Sequence, residues 1–254
     1  MSDKLAPKPE QPWTPARISL GLTGAAIPTR EQLRFQLDHA LARDAVHTEL
    51  DVSLLLRGLA ERNLPAITLR SAAPDRKAYL RRPDLGRRLS KASREQLQEA
   101  PSSEIVFLLA DGLSALAVER HALPLLDATL PLLGSDRATI LIATQARVAL
   151  GDEIGERLGA KLTVMFIGER PGLSSPDSLG VYITWMPQTG RTDAERNCIS
   201  NIRTEGLSYA DAAHRIAFYL REAKRVEATG IALKDPELPP RSHISPPNFA
   251  TDAQ

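Results

Sequence analysis

Chemistry-bearing side chains concentrate between Gly168 and Asn201, in GERPGLSSPDSLGVYITWMPQTGRTDAERNCISN. Two polar segments flank a short apolar strand there. They hold Glu169, Arg170, Asp177, Arg191, Asp193, Arg196, Asn197 and the single cysteine, Cys198. Polar loops of that length are uncommon in a compact domain and are usually functional. Two kinds of chemistry suit these residue types. Loop carboxylates and guanidiniums can hold the polar rim of a ligand. A thiol can act as a nucleophile, but it needs a base nearby. The nearest histidine in sequence, His214, falls in the following helix, and no nucleophile elbow, oxyanion motif or third triad member accompanies the pair. Cys198 therefore stays open between a small buried or inert residue and a contact in a ligand loop, with the nucleophile as the weaker reading. Arg191, Arg196 and Arg203 interleave with Asp193, Glu195 and Glu205, a mixture that favours local ion pairs over a bare anion site.

The elements that must position these residues come in two styles. From Thr29 to about Ala100 the pattern is helical. Thr29 reads as an N-cap with Gln32 three residues on, as in a capping box, and Leu33, Leu37, Ala40 and Leu41 share one face. A second helix follows Asp51, with Val52, Leu55, Leu56 and Leu59 on its apolar face. Ala66–Leu69 is a short extended piece, and Tyr79–Ala100 is polar and helical, broken near Pro83. Arg81, Arg82, Arg87 and Arg88 read as a solvated face or a subunit contact. From Glu104 onward, EIVFLLA, ATILIAT and KLTVMFIG are apolar runs of the kind buried on both faces of a parallel sheet. GVYITWM is a fourth strand. Helices are expected over 114–133, with a kink at Pro124, over about 152–158, and over about 209–228 with Ala213, Ile216, Ala217, Leu220 and Ala223 inward.

Strand and helix alternate, so the fold class is α/β. A mainly parallel, doubly wound (Rossmann-like) sheet domain is expected over 101–235, preceded by a small N-terminal helical domain over 16–100. Residues 1–15 read as a disordered N-terminal segment. Residues 236–254 read as a Pro-rich extended tail, since proline fixes φ and lacks the N–H donor.

In such a sheet, ligands sit beyond the carboxyl ends of the strands. Asp111-Gly112 follows the first apolar run, Gln145-Ala146-Arg147-Val148 the second, and Glu169-Arg170-Pro171-Gly172 the third. One edge should thus gather Asp111, Val148, Glu169 and Arg170, with Gly112 and Gly172 allowing close backbone approach. Asp111-Gly112 is also simple turn chemistry. No GxGxxG or GxxxxGK[ST] supports a dinucleotide or nucleoside triphosphate.

Composition narrows the classes further. The 254 residues carry 32 basic and 31 acidic side chains, a formal charge of +1, which argues against a nucleic-acid or membrane partner. Aromatics are only 4%, so Leu, Ala, Val and Ile must build the core. One cysteine makes no internal disulfide, which suits a cytoplasmic location. The five histidines lack ligand spacing, and no metal site is expected. No apolar run approaches the ~20 residues of a membrane span.

GERPGLSSPDSLG and GRTDAERNCISNIRTEGLSYADAAHR resemble the small (light) subunit of ethanolamine ammonia-lyase. ARISLGLTGAAIPT, FQLDHALARDAVHTELD, YLRRPDLGRRL and LADGLSALAVERHA extend the resemblance over roughly residues 16–235. Leu22 stands where the family pattern has arginine, which bears on a local contact. The resemblance implies an adenosylcobalamin (coenzyme B12)-dependent radical lyase that converts ethanolamine to acetaldehyde and ammonia. It implies a large-subunit partner, a TIM barrel that binds ethanolamine and carries the catalytic side chains, in an assembly of six large and six small subunits. On this chain it implies no catalytic residue and three cobalamin contacts, Val148, Glu169 and Cys198. No cobalt ligand is expected here, since DxHxxG is absent, so the nucleotide base should remain the lower ligand. Two settings fit this family, free cytosol and a bacterial microcompartment. A stand-alone small-molecule-binding α/β module and a cysteine hydrolase using Cys198 and His214 are the competing readings.

Overall fold

The computed structural model describes residues 26–134 and 138–234. The segment 1–15, Leu22 and the tail 236–254 lie outside the described residues.

Six strands form one sheet: β1 (Ala66–Arg70), β2 (Ile105–Ala110), β3 (Ala138–Thr144), β4 (Leu162–Gly168), β5 (Leu179–Trp185) and β6 (Arg196–Ile202), in the order β1-β3-β2-β4-β5-β6. The pairings β1/β3, β3/β2 and β2/β4 are parallel, whereas β4/β5 and β5/β6 are antiparallel. The sheet is therefore mixed, with its parallel part where the apolar runs predicted it. β2 is buried along its whole length. Because successive side chains alternate faces, Ile105, Phe107 and Leu109 enter one core and Val106, Leu108 and Ala110 the other.

Helices cover both faces. They are α1 (Thr29–His47), α2 (Val52–Glu61), α3 (Arg76–Arg81), α4 (Lys91–Gln98), α5 (Ala115–Thr129), α6 (Leu150–Arg157) and α7 (Tyr209–Val226). Residues of α2, α5 and α7 join the Phe107 core, and those of α4 and α6 join the Leu108 core. Side-chain N-caps start several of them: Asp51 accepts from Leu54 N at 3.1 Å, and Ser114 accepts from Ala117 N at 3.2 Å. None of the described helices is long and apolar enough to cross a membrane.

Four expectations need correction. Pro28, not Thr29, is the N-cap of α1, and no side-chain bond caps it, because the proline ring offers no acceptor. The α1 face of Leu33, Leu37 and Leu41 remains 59%, 58% and 49% exposed, so among the described residues it is not a core face. The stretch expected to be a helical domain contributes β1, which pairs with β3, and α2, which packs on α5, so the sheet draws on both sides of residue 100. Finally, the second polar loop ends in a strand. Cys198 belongs to β6 and pairs with Tyr182 of β5.

Candidate functional site: a cleft between the ends of β2 and β4

The chain leaves β2 through α5 towards β3, on one side, and leaves β4 towards β5, on the other. Adjacent strands whose continuations diverge open a crevice between their carboxyl ends, where ligands of open α/β sheets bind. A cleft of about 260 Å³ lies there. Gly112 and Leu113 come from the end of β2, Arg147 and Val148 from the loop after β3, and Ile167 and Glu169 from the end of β4. Tyr79, Arg170 and Tyr182 complete its walls.

Two backbones cross tightly beneath the cleft. Gly112 adopts φ +54°, and a Cβ on it would lie 2.2 Å from Gly168 O. A Cβ on Gly168 would lie 2.0 Å from Ser114 O. Real Cβ atoms do not approach that closely, so glycine lets the turn after β2 sit on the end of β4. Close approach at Gly112 thus serves the chain's own backbone, and Gly172 similarly faces Ser175, 2.8 Å from a notional Cβ.

Asp111 is buried beneath this floor instead of lining it. Its carboxylate accepts from Gln145 N at 2.7 Å and Ala146 N at 2.9 Å, and pairs with Arg76 Nη1 at 3.3 Å. Those bonds hold Gln145 at φ +56°, uncommon for a residue with a Cβ, and they aim the loop that presents Val148. Burial outweighs these partners and raises the carboxyl to about 6.

Glu169 turns back across the sheet edge. Its carboxylate accepts from Ser178 Oγ and from Asn201 N at 3.3 Å, linking the start of β5 and the end of β6 to the turn after β4. No ion pair joins it to Arg170 among the described residues. The rest of the 169–178 loop is pinned from α5. Ser114 Oγ donates to Pro176 O at 2.8 Å, and Asp177 accepts from Arg120 Nη1 at 2.8 Å beside His121 Nε2 at 3.3 Å. Burial lowers the His121 imidazole, while Arg120 and His121 hold Asp177 below the usual range despite its partial burial.

Cys198 stands one strand outside the cleft, with its side chain exposed beside Tyr182. Its thiol lies 3.4 Å from Ser200 Oγ. Desolvation by the surrounding protein raises the thiol, chiefly opposing the thiolate. Its neighbour Ile199 faces α7 in the Phe107 core, so by strand alternation Cys198 faces the other way. His214, exposed on α7, therefore lies across the sheet, which removes the Cys198–His214 dyad.

Thus Val148 and Glu169 meet in one cleft, and Cys198 borders it through Tyr182. Arg191 pairs with Glu195, as the interleaved charges predicted, whereas Arg196 is fully buried on Asp152 of α6, at 2.5 and 2.6 Å, a partner outside the loop. Tyr79 and Tyr182 had no sequence signal, being isolated aromatics far apart in the chain. Arg147 sat beside a named residue but was not singled out. No cluster able to hold a metal occurs among the described residues.

Comparison with known proteins agrees with the geometry. The family model for the ethanolamine ammonia-lyase light chain (EutC) matches residues 9–234. The chain is 53% identical over 249 residues to the ethanolamine ammonia-lyase small subunit of Azotobacter vinelandii, covering 92% of each. It is 53% identical to that of Pseudomonas fluorescens, covering 89% of this chain and 88% of the relative. For that of Pseudomonas putida strain W619 the identity is 51%, with 92% and 91% covered. With cleft, loops and matches running through the same residues, the chain belongs to the ethanolamine ammonia-lyase light-chain (small-subunit) family.

Proposed function

We propose that this chain forms one wall of an adenosylcobalamin site and that the large subunit of the lyase forms the other. The observation that carries this reading is the cleft at the switch point, which gathers Val148 and Glu169. Its 260 Å³ falls just below the ~300–1,000 Å³ of a complete small-molecule pocket, so it suits one edge of a large ligand completed by a second protein.

The residues present fit such a group. Leu113, Val148 and Ile167 offer apolar contact for a corrin edge. The carboxamide rim needs donors and acceptors, and the site holds both. Arg147 and Arg170 line the cleft with guanidinium donors, and Glu169 keeps an oxygen beyond its Ser178 and Asn201 bonds. Cys198 extends the same face outward past Tyr182.

When bound, the cofactor supplies the radical that takes hydrogen from ethanolamine held on the large subunit. This chain's part is to bind and orient, and to keep water from that face. Val148 and Leu113 exclude water from the corrin edge. Glu169 fixes the turn after β4 while accepting from the rim. None of these side chains moves a proton in the reaction. Exposed Leu33, Phe35, Leu37 and Leu41 on α1 support a large apolar-surfaced partner for this chain. Six large and six small subunits, in free cytosol or in a microcompartment, complete the proposal.

Glu169→Ala, and Cys198→Phe for bulk, separate binding from chemistry. In the complex with the large subunit, both should weaken cobalamin affinity, by about tenfold for Glu169→Ala, with kcat at saturating cofactor little changed. A fall in kcat at unchanged affinity would contradict the role.

A further inference from the structure

Arg147 is a half-buried cleft side chain whose guanidinium has no hydrogen-bond or ion-pair partner among the described residues. The two buried arginines elsewhere each have a carboxylate: Arg76 has Asp111 and Arg196 has Asp152. Arg147 is half-buried, yet among the described residues no carboxylate or carbonyl accepts from its guanidinium, and Nε is buried unpaired. Leaving such a group unpartnered is costly in a folded protein.

The chain nevertheless builds a mount for it. The guanidinium lies over the Tyr79 ring, 4.4 Å from its centroid. Tyr79 is fully buried and donates through its hydroxyl to Ala146 O at 2.9 Å. Arg147 N donates to Gly86 O at 2.8 Å. A Cβ on Gly86 would lie 2.9 Å from both Arg147 Cγ and Tyr79 Cε2, so only glycine leaves room for the stack. The segment YLRRPDLGRRL supplies both parts of this mount. A second guanidinium, exposed Arg170, faces the same cleft, also without a carboxylate partner among the described residues.

Two guanidiniums against the single carboxylate of Glu169 leave the cleft with a net positive charge, which favours an anion. Cobalamin's side chains end in neutral carboxamides, and its one anionic group is the phosphodiester of the nucleotide loop. We infer that Arg147, stacked on Tyr79 and assisted by Arg170, binds that phosphodiester and so fixes which edge of the cofactor faces this subunit. The inference rests on the cobalamin reading above.

The test uses the full chain assembled with its large subunit and two probes, cyanocobalamin and dicyanocobinamide, which keeps the corrin amides but lacks the nucleotide and its phosphate. Affinity is read by equilibrium dialysis, and assembly by size-exclusion chromatography. Arg147→Met should weaken cyanocobalamin on the order of tenfold to a hundredfold and leave dicyanocobinamide unchanged. Arg170→Gln, on an exposed turn where folding is not at stake, should weaken cyanocobalamin severalfold with the same selectivity. Equal loss for both probes, or no loss for cyanocobalamin in either variant, overturns the phosphate assignment while leaving the cofactor reading intact. A wild-type complex that binds neither probe overturns the cofactor reading, and this inference with it.

Discussion

The Asp111 carboxylate shows how a residue outside the cleft sets its shape. Asparagine has one carbonyl oxygen for the two backbone N–H groups that Asp111 now satisfies, and its amide would face one of them donor to donor. It would also strand the buried Arg76 charge. Asp111→Asn should therefore cost about 3–5 kcal/mol, read from denaturant unfolding. The pH dependence has an unusual sign. The folded carboxyl sits near 6, above the ordinary aspartate value of 3.8, so between those values the folded state binds a proton that the unfolded state lacks. Its contribution to stability is full at low pH and is lost as pH rises through about 6. The stability advantage of wild type over Asp111→Asn should therefore widen as pH falls from about 6 to about 4. A narrowing advantage would mean that the carboxylate is stabilised more by Arg76 and the loop than burial penalises it. At this scale the sequence was partly legible. Asp111, Val148, Glu169 and Arg170 fell at strand ends, but that Asp111 lies beneath the cleft and not in its wall depended on Arg76, thirty-five positions away, reaching it through the fold.

Among the elements, the junction of β2 with β4 matters most to the site. Gly168→Ala would drive a Cβ into the backbone at Ser114 O and Asp111 O, neither of which can swing away as a side chain end could. The turn after β2 and the start of α5 would have to move together. A loss of more than about 4 kcal/mol, or failure to fold, is expected in thermal unfolding. A loss below about 1 kcal/mol would show that the crossing is looser than described. The apolar strands β2, β3 and β4 could be placed from sequence within a residue because burial on both faces leaves no charged position and few polar ones, all threonine. β6 could not, because its burial is achieved with polar partners. Arg196 is buried on Asp152, and Asn197 bonds Gly230 O, Leu233 O and Gly230 N. RNCISNI has neither an apolar run nor a clean alternation, and the partners that make it a strand come from α6 and from beyond α7. α1 erred in the opposite direction. Its spacing of leucines reads as a core face, but a periodic face says only that something covers it, not that the same chain does.

For the whole molecule, the outstanding property is incompleteness. Among the described residues the fold buries two cores around one sheet, yet leaves the α1 leucines exposed and a cleft of about 260 Å³ open at the switch point. Both features are what the proposed division of a ligand site between two subunits requires. Membership of the family was legible in the long ungapped motifs, while the division of labour between the two subunits lies outside any single chain. Isothermal calorimetry of cobalamin with this chain alone, with the large subunit alone, and with the assembled pair tests that division directly. The account predicts weak or undetectable binding to the isolated chain and strong binding to the pair. Tight binding by this chain alone, unchanged when the large subunit is added, would contradict it.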